Sequence, residues 1–393
     1  MLRILSRLVI VSALAAVFLP GSPAQASPQV ELSPFHLDEQ AMCEITKEWT
    51  DELVAGHRPG TWAKMEFEVT DDQLARLGLP SKEILTSRRY AKPTLVTEDG
   101  RFFDVPLSEL RQFTQRTSPP PKKGGGGGSE DPPGGGPTVM SYGGTGCMGI
   151  RPGALLLLIS GNSIGWCSMA HVYGSPGSYD ISTAGHCGKT GDPATVIAAL
   201  GNRDGATGVV LLDFGRFGTS HDGGLGDDWA LIDIASEYQS LVTPTMCFWG
   251  GPRGMYTNTG SLVGVTIPRR GLIPNVSVTP DPTLAQTIVH YGHGVGVGAG
   301  GTPRAGEAIH WGTDHFMFSG AIAPGDSGSG ANTVLGDTIG ANMEAAGIIT
   351  HIWIDPLMRS GIGIMGGTRA TQVSSTLADG QIVPYPIPIT GLP

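Results

Sequence analysis

From residue 139 to the C terminus, apolar runs are short or alternating, and Gly, Pro, Asn or Asp breaks in between them. Ala154–Ile159, Gly208–Phe214, Trp229–Ile234, Ser261–Ile267, Thr287–Val297 and Gly347–Ile354 are of this kind. Such runs bury a face only as strands, and their turn residues set strand ends, so the pattern predicts an all-β barrel or sandwich. About 255 residues are enough for two small barrels or one large sheet domain. The one helix-like stretch in this part is Thr368–Leu377, and no internal repeat is present.

The front of the chain is different in kind. Residues 27–138 carry 13 basic and 18 acidic groups, whereas residues 139–393 carry 10 and 17 in more than twice the length. Between them, residues 118–138 contain Pro119-Pro120-Pro121, Lys122-Lys123, Gly124 to Gly128 and Gly134 to Gly136, a stretch with nothing to bury that reads as a linker. Residues 27–117 read as a small α+β N-terminal domain. Ser33-Pro34 opens a helix carrying Ile45, Trp49 and Leu53 at four-residue spacing, and Gly56 stops it. Met65, Phe67 and Val69 alternate with charged residues as a half-buried strand does. Thr70 with Gln73 forms a capping-box pattern, and Asp99-Gly100 separates two strand-like runs as a hairpin turn would.

Residues 1–26 have the form of an export signal: Arg3 and Arg7, then the apolar run Leu8–Leu19, then Ala24-Gln25-Ala26. That run is shorter than the roughly 20 residues of a membrane span, so the expectation is a secreted protein with no membrane partner. Export permits disulfides among Cys43, Cys147, Cys167, Cys187 and Cys247, and the odd number leaves one thiol over. A formal net charge of -10 argues against nucleic acid, whose phosphates need clustered Lys and Arg. His290 with His293, and His310 with His315, have no carboxylate or Cys cluster to complete a metal site, so neither metal nor cofactor is expected.

Three segments carry chemistry, and they come in a fixed order: Thr183-Ala184-Gly185-His186-Cys187, then Asp228-Trp229-Ala230-Leu231, then Pro324-Gly325-Asp326-Ser327-Gly328-Ser329-Gly330. A serine hydroxyl needs a base to take its proton, and the base needs an acid to fix its tautomer. The order His, Asp, Ser separates this pattern from other hydrolase arrangements built on the same three groups. From about Cys147 to Asp355 the chain resembles the chymotrypsin-like (trypsin-like) serine proteases, in particular their bacterial secreted branch, on the strength of TAGHC and GDSG.

The resemblance implies an all-β catalytic domain of two six-stranded antiparallel β-barrels, with the site in the cleft between them. It makes His186 the general base, Asp228 its orienting acid and Ser327 the nucleophile. Asp222, Asp227 and Asp233 lie nearby, and Asp228 is preferred because Asp-x-Ala-Leu matches the family pattern. The backbone N–H groups of Gly325 and Ser327 would form the oxyanion hole, and Asp326 would hold the loop in shape, with its Arg partner left open. The family disulfide that pins the histidine loop implies Cys167 with Cys187. A second family bridge suggests Cys147 with Cys247, leaving Cys43 free, although Cys43 could take one of those partners.

In the family the pocket base lies six residues before the nucleophile, which here is Ala321. Gly347–Ile352 resembles the strand that lines the pocket and pairs with substrate backbone, with Thr350 in the usual Ser position and Ile352 narrowing the pocket. An uncharged, small or medium apolar residue is therefore expected before the cleaved bond. His351 could instead favour an acidic one, or be a strand residue only. The expected partner is a polypeptide substrate, and the oligomeric state stays open. Residues 27–138 are placed as a removable pro-region, against the alternative of a permanent accessory domain. Set against an active endopeptidase are an idle protease-fold binding module and an esterase using the same triad.

Overall fold

The computed structural model describes residues 29–33, 39–117, 149–244, 246, 252–262, 283–292, 303–321, 325–334, 343–354, 362–377 and 380–383. In the front segment the elements are β1 (Glu31–Ser33), α1 (Glu39–Gly56), β2 (Trp62–Lys64), α2 (Asp71–Arg76), α3 (Lys82–Thr86), β3 (Thr94–Thr97), β4 (Phe102–Asp104) and α4 (Leu107–Thr117). Ser33 ends β1 and the described part of α1 begins at Glu39, so the helix opening expected at Ser33-Pro34 lies in part outside the described residues. Its four-residue stripe of Ile45, Trp49 and Leu53 is buried. The capping box is present, with Thr70 Oγ1 accepting from the Gln73 N–H and the Thr70 N–H donating to the Gln73 side chain. Gly100 sits in the β3–β4 turn at φ 82°.

The next seven strands are β5 (Leu155–Ser160), β6 (Ser163–Ser168), β7 (Val172–Ser175), β8 (Ser178–Thr183), β9 (Pro193–Arg203), β10 (Ala206–Asp222) and β11 (Asp228–Ile234). They neighbour one another in the order β6-β5-β9-β10-β11-β8-β7, antiparallel throughout. Only Met169, Ala170 and His171 separate β6 from β7, so the two ends of this sheet are one bent strand, and the sheet curls into a six-stranded barrel. Alternate side chains such as Val196, Leu212, Phe214 and Ile232 fill it.

The second barrel comprises β13 (Thr287–Tyr291), β14 (Pro303–Trp311), β15 (His315–Ala321), β16 (Gly330–Val334), β17 (Met343–Trp353) and β18 (Ile362–Arg369), with β12 (Gly260–Ser261) added beside β14. The order β14-β13-β16-β17-β18-β15 closes on itself because β15 also pairs with β14. Ile288, Phe316, Phe318, Ile349 and Met365 pack inside. The helix expected at Thr368–Leu377 is shorter, α5 (Ala370–Ser374), since Thr368 and Arg369 still belong to β18. The runs Ser261–Ile267 and Thr287–Val297 lie partly outside the described residues, as residues 1–28 and 118–148 do wholly.

Among the described residues, every strand of the front segment joins a barrel sheet. β1 pairs with β9, β3 pairs with β10 and carries β4, and β2 pairs with β17 of the second barrel. Trp49, Leu74 and Tyr90 share one apolar cluster with Leu155, Trp166 and Val209 of the first barrel. Leu53, Ala63 and Met65 share another with the second. The expected Met65–Val69 strand is replaced by a shorter one at Trp62–Lys64 and an isolated bridge at Glu68. The alternation is still physical, because Met65 and Val69 are buried and Glu66 and Glu68 exposed. It arises because this segment crosses from one barrel to the other instead of following one sheet.

Candidate active site

His186 lies on a single 3-10 turn, Gly185–Cys187, directly after β8. A disulfide joins Cys187 to Cys167 of β6, so the turn is tied to the neighbouring strand on its C-terminal side. Asp228 is the first residue of β11, and Ser327 lies in the turn between β15 and β16. The first two groups therefore come from one barrel and the third from the other.

The three side chains meet. His186 Nδ1 lies 2.6 Å from Asp228 Oδ2, and His186 Nε2 lies 2.7 Å from Ser327 Oγ. Asp228 Oδ1 accepts the backbone N–H groups of Gly185 at 2.6 Å and His186 at 3.0 Å. Burial opposes ionisation of Asp228. The hydrogen bond from His186, the charges of His186 and His351 and the His186 backbone N–H outweigh it and hold its pKa below the usual carboxylate value. An ionised Asp228 can only accept, so it fixes the His186 proton on Nδ1 and leaves Nε2 as the acceptor for the Ser327 hydroxyl. Asp222, Asp227 and Asp233 make no such contact with His186 among the described residues.

The serine turn is held from both sides. The Ser168 N–H of β6 donates to the Ser327 carbonyl at 2.7 Å, and the Ser168 hydroxyl donates to the Gly325 carbonyl at 3.0 Å. From the other barrel, the Ile349 carbonyl of β17 accepts the Gly328 N–H at 2.8 Å. Gly325 and Gly328 take φ of 95° and 85°, a region side chains avoid. A Cβ on Gly328 would meet Thr183 Oγ1 at 2.1 Å and the Ser168 carbonyl oxygen at 2.2 Å. The buried Asp326 carboxylate pairs with Arg304 of β14, which answers the partner question left open by the sequence. Residues 139–393 hold few arginines, so the candidates were few, but nothing local marked Arg304.

The residues expected from the sequence to line the pocket lie on β15 (Ala321) and β17 (Thr350, Ile352). The Ala321 carbonyl accepts from His290 Nε2 at 3.0 Å. Thr350 Oγ1 lies 2.7 Å from His351 Nδ1, which is itself 3.7 Å from Asp228 Oδ2. Ile352 is buried and pairs with Ala63. Burial pushes the His351 pKa down to about 4, against the pull of Asp228, so this ring is neutral. Sequence reasoning missed Thr368: its hydroxyl accepts the Asp228 N–H at 3.1 Å and donates to the Asp228 carbonyl at 2.9 Å. It missed equally that residues 62–69 lie over the site. Cys147 and Cys247 fall outside the described residues. Among the described residues Cys167, His186 and Cys187 form the one grouping with metal-ligand spacing, and its two sulfurs are bonded to each other.

No protein-family model matches the chain, and neither does any curated protein sequence. Solved structures similar to it include Thermobifida fusca protease A (16% identity, TM-score 0.33, 60% of this chain and 98% of that one). A glutamic acid specific serine protease, described as using a histidine triad in substrate binding, matches at 17% identity and TM-score 0.34, over 60% of this chain and 100% of its own. Nocardiopsis protease (NAPase) matches at 16% and 0.33, over 60% and 99%. Scores this low decide nothing, and the topology stands by itself. Two six-stranded antiparallel barrels, with a His-bearing and an Asp-bearing segment of one facing a Ser-bearing turn of the other, give this chain the chymotrypsin-like fold.

Proposed function

We propose that this chain is a secreted serine endopeptidase of the chymotrypsin-like type, with His186, Asp228 and Ser327 as its catalytic triad. The observation that carries the reading is the continuous hydrogen-bonded line from Asp228 Oδ2 through both ring nitrogens of His186 to Ser327 Oγ, at 2.6 and 2.7 Å. As a peptide carbonyl arrives, His186 takes the Ser327 proton and Oγ bonds to the carbonyl carbon. The negative charge that develops on oxygen faces the backbone N–H groups of Gly325 and Ser327. His186 then gives its proton to the leaving amine, the C–N bond breaks, and water repeats the sequence on the acyl-enzyme. Asp228 stays ionised throughout and stabilises the imidazolium.

Residues 1–26 act as the export signal in this reading, and residues 27–138 as a pro-region that has to leave the cleft. Ala321, Thr350 and Ile352 bring no charge to the pocket, which supports an uncharged apolar residue before the cleaved bond. The test is the secreted protein on casein and on a peptide library, with a serine-directed phosphonylating reagent as probe. Labelling at Ser327 and peptide turnover are expected, and Ser327→Ala should lose both, on the order of 10⁴-fold or more in turnover. Equal turnover by Ser327→Ala would reject the mechanism, and preferred cutting after Lys or Arg would reject the pocket assignment. Active enzyme whose intact mass under denaturing conditions shows one uncut chain from Ser27 would reject the pro-region.

A further inference from the structure

The peptide that fills the cleft belongs to the chain itself. β2 runs antiparallel to β17 with Trp62 opposite Trp353, Ala63 opposite Ile352 and Lys64 opposite His351. Continued by one residue, that register would set Met65 against Thr350, next to Ile349, whose carbonyl accepts the Gly328 N–H of the serine turn. Three residues later the same segment pairs with the other barrel, also antiparallel: Glu68 bridges Gly165 of β6, and the Val69 N–H donates to the Ile164 carbonyl at 2.9 Å. An extended peptide held by main-chain pairing on both sides of a nucleophile is bound as a polypeptide substrate is. Between these two pairings lie Met65 to Phe67, of which Glu66 and Phe67 border the same cavity as His186.

Side chains identify the bond. Met65 is fully buried in the apolar cluster of the second barrel, with Ile352 and Ile349. Glu66, Phe67 and Glu68 border a cavity shared with His186 and Cys187. The side chains of His186 and Asp228 and the whole of Ser327 are 0% exposed, so no second polypeptide reaches them while this segment is in place.

We infer that residues 62–69 are the first substrate of this site, with Met65 in the specificity pocket and Met65–Glu66 the bond that is cut. The inference rests on the hydrolytic reading given above. Ser327 Oγ bonds to the Met65 carbonyl carbon while His186 takes the hydroxyl proton. The Met65–Glu66 C–N bond then breaks, and His186 returns the proton to the new Glu66 amine. Water hydrolyses the Met65 ester, leaving a free carboxylate and restoring Ser327. Pairing on both sides holds the bond at the nucleophile, so the step needs no encounter. The cut opens the cleft, yet β1, β3 and their helices stay paired to the first barrel, so the fragments remain together until denatured.

The test is the purified full chain, run beside Ser327→Ala, with fragments separated under denaturing conditions and identified by N-terminal sequencing and intact mass. Wild type should yield one fragment ending at Met65 and one beginning at Glu66, and Ser327→Ala neither. A synthetic peptide of residues 60–71, offered to the processed enzyme, should be cut between Met and Glu, and its Met→Asp version at least tenfold more slowly. This arm does not depend on any variant folding. An intact Met65–Glu66 bond, or an uncut peptide, in a preparation that labels with phosphonate and hydrolyses other peptides overturns the inference and leaves the protease standing, with residues 62–69 as a displaceable plug. The same cut in Ser327→Ala overturns it too, as the work of another protease. Absence of both labelling and turnover in wild type removes the hydrolytic reading, and the inference falls with it.

Discussion

At the scale of single residues, what distinguishes this site is how firmly Asp228 is held. Each carboxylate oxygen has its own partners, and the peptide groups on either side are fixed by one hydroxyl, that of Thr368. Thr368 touches neither substrate nor the reacting atoms, so it is a positioning residue. Thr368→Val keeps the shape and removes both hydrogen bonds. The expected result is a fall in kcat of roughly tenfold with KM little changed, because a small tilt of the acid misaligns the imidazole. Thr368→Ser should restore it. Steady-state kinetics on an apolar peptide check this, and a change in KM alone would assign Thr368 to the pocket instead. The sequence could disclose His186, Asp228 and Ser327 because their neighbours are constrained as well: Gly328 has no room for a Cβ, and Cys187 is bonded to Cys167. Thr368 lies 140 residues from Asp228, in a stretch that reads as the start of a weak helix, and no local pattern could mark it.

At the scale of elements, the serine turn between β15 and β16 leaves Gly328 no room for a side chain. Gly328→Ala would force a methyl group onto Thr183 Oγ1 and the Ser168 carbonyl at a backbone angle that side chains avoid. A loss of roughly 2 to 4 kcal/mol in stability is expected, with activity falling further, since the turn carries Ser327, the proposed nucleophile. Denaturant titration and turnover on the same sample measure both. The strands around this turn were legible from short apolar runs and turn residues because each run has one face in a barrel. Strand ends were less legible: β10 extends to Asp222, well past the apolar run that announced it, because its far half is paired to β11 and buries Phe217 amid polar residues and glycines. Met65–Val69 was read as a strand on correct alternation. Glu68 pairs with one barrel and the preceding Trp62–Lys64 with the other, roughly 95 and 290 residues further along, and neither partner could be inferred from the segment itself.

At the scale of the whole molecule, three buried histidines set the acid limit. His171, His290 and His351 each have a pKa lowered to about 4, chiefly by burial, and are neutral in the folded protein. In the unfolded chain they titrate near 6.5. Between about pH 6.5 and about 4 the unfolded state therefore binds more protons, and folding stability falls with acidification. The expected loss is about 1 kcal/mol per histidine for each pH unit in that window. Asp228, whose pKa is lowered, contributes in the same direction below it: its stabilisation is present above its unfolded value near 3.9 and disappears as pH falls through the folded one. Denaturation midpoints at pH 7, 5.5 and 4.5 test this, and a flat profile between the first two would show that these rings charge without unfolding.

The seam between the barrels has a consequence for how such a molecule would wear out. The carbonyl of Ser327 is anchored to Ser168 of one barrel and the amide of Gly328 to Ile349 of the other. Slippage of a few tenths of an ångström along that boundary would drag the hydroxyl out of line with its imidazole while both cores remained sealed. On the proposed mechanism, heating would therefore abolish turnover at temperatures where the strands are still intact, and cooling would restore it.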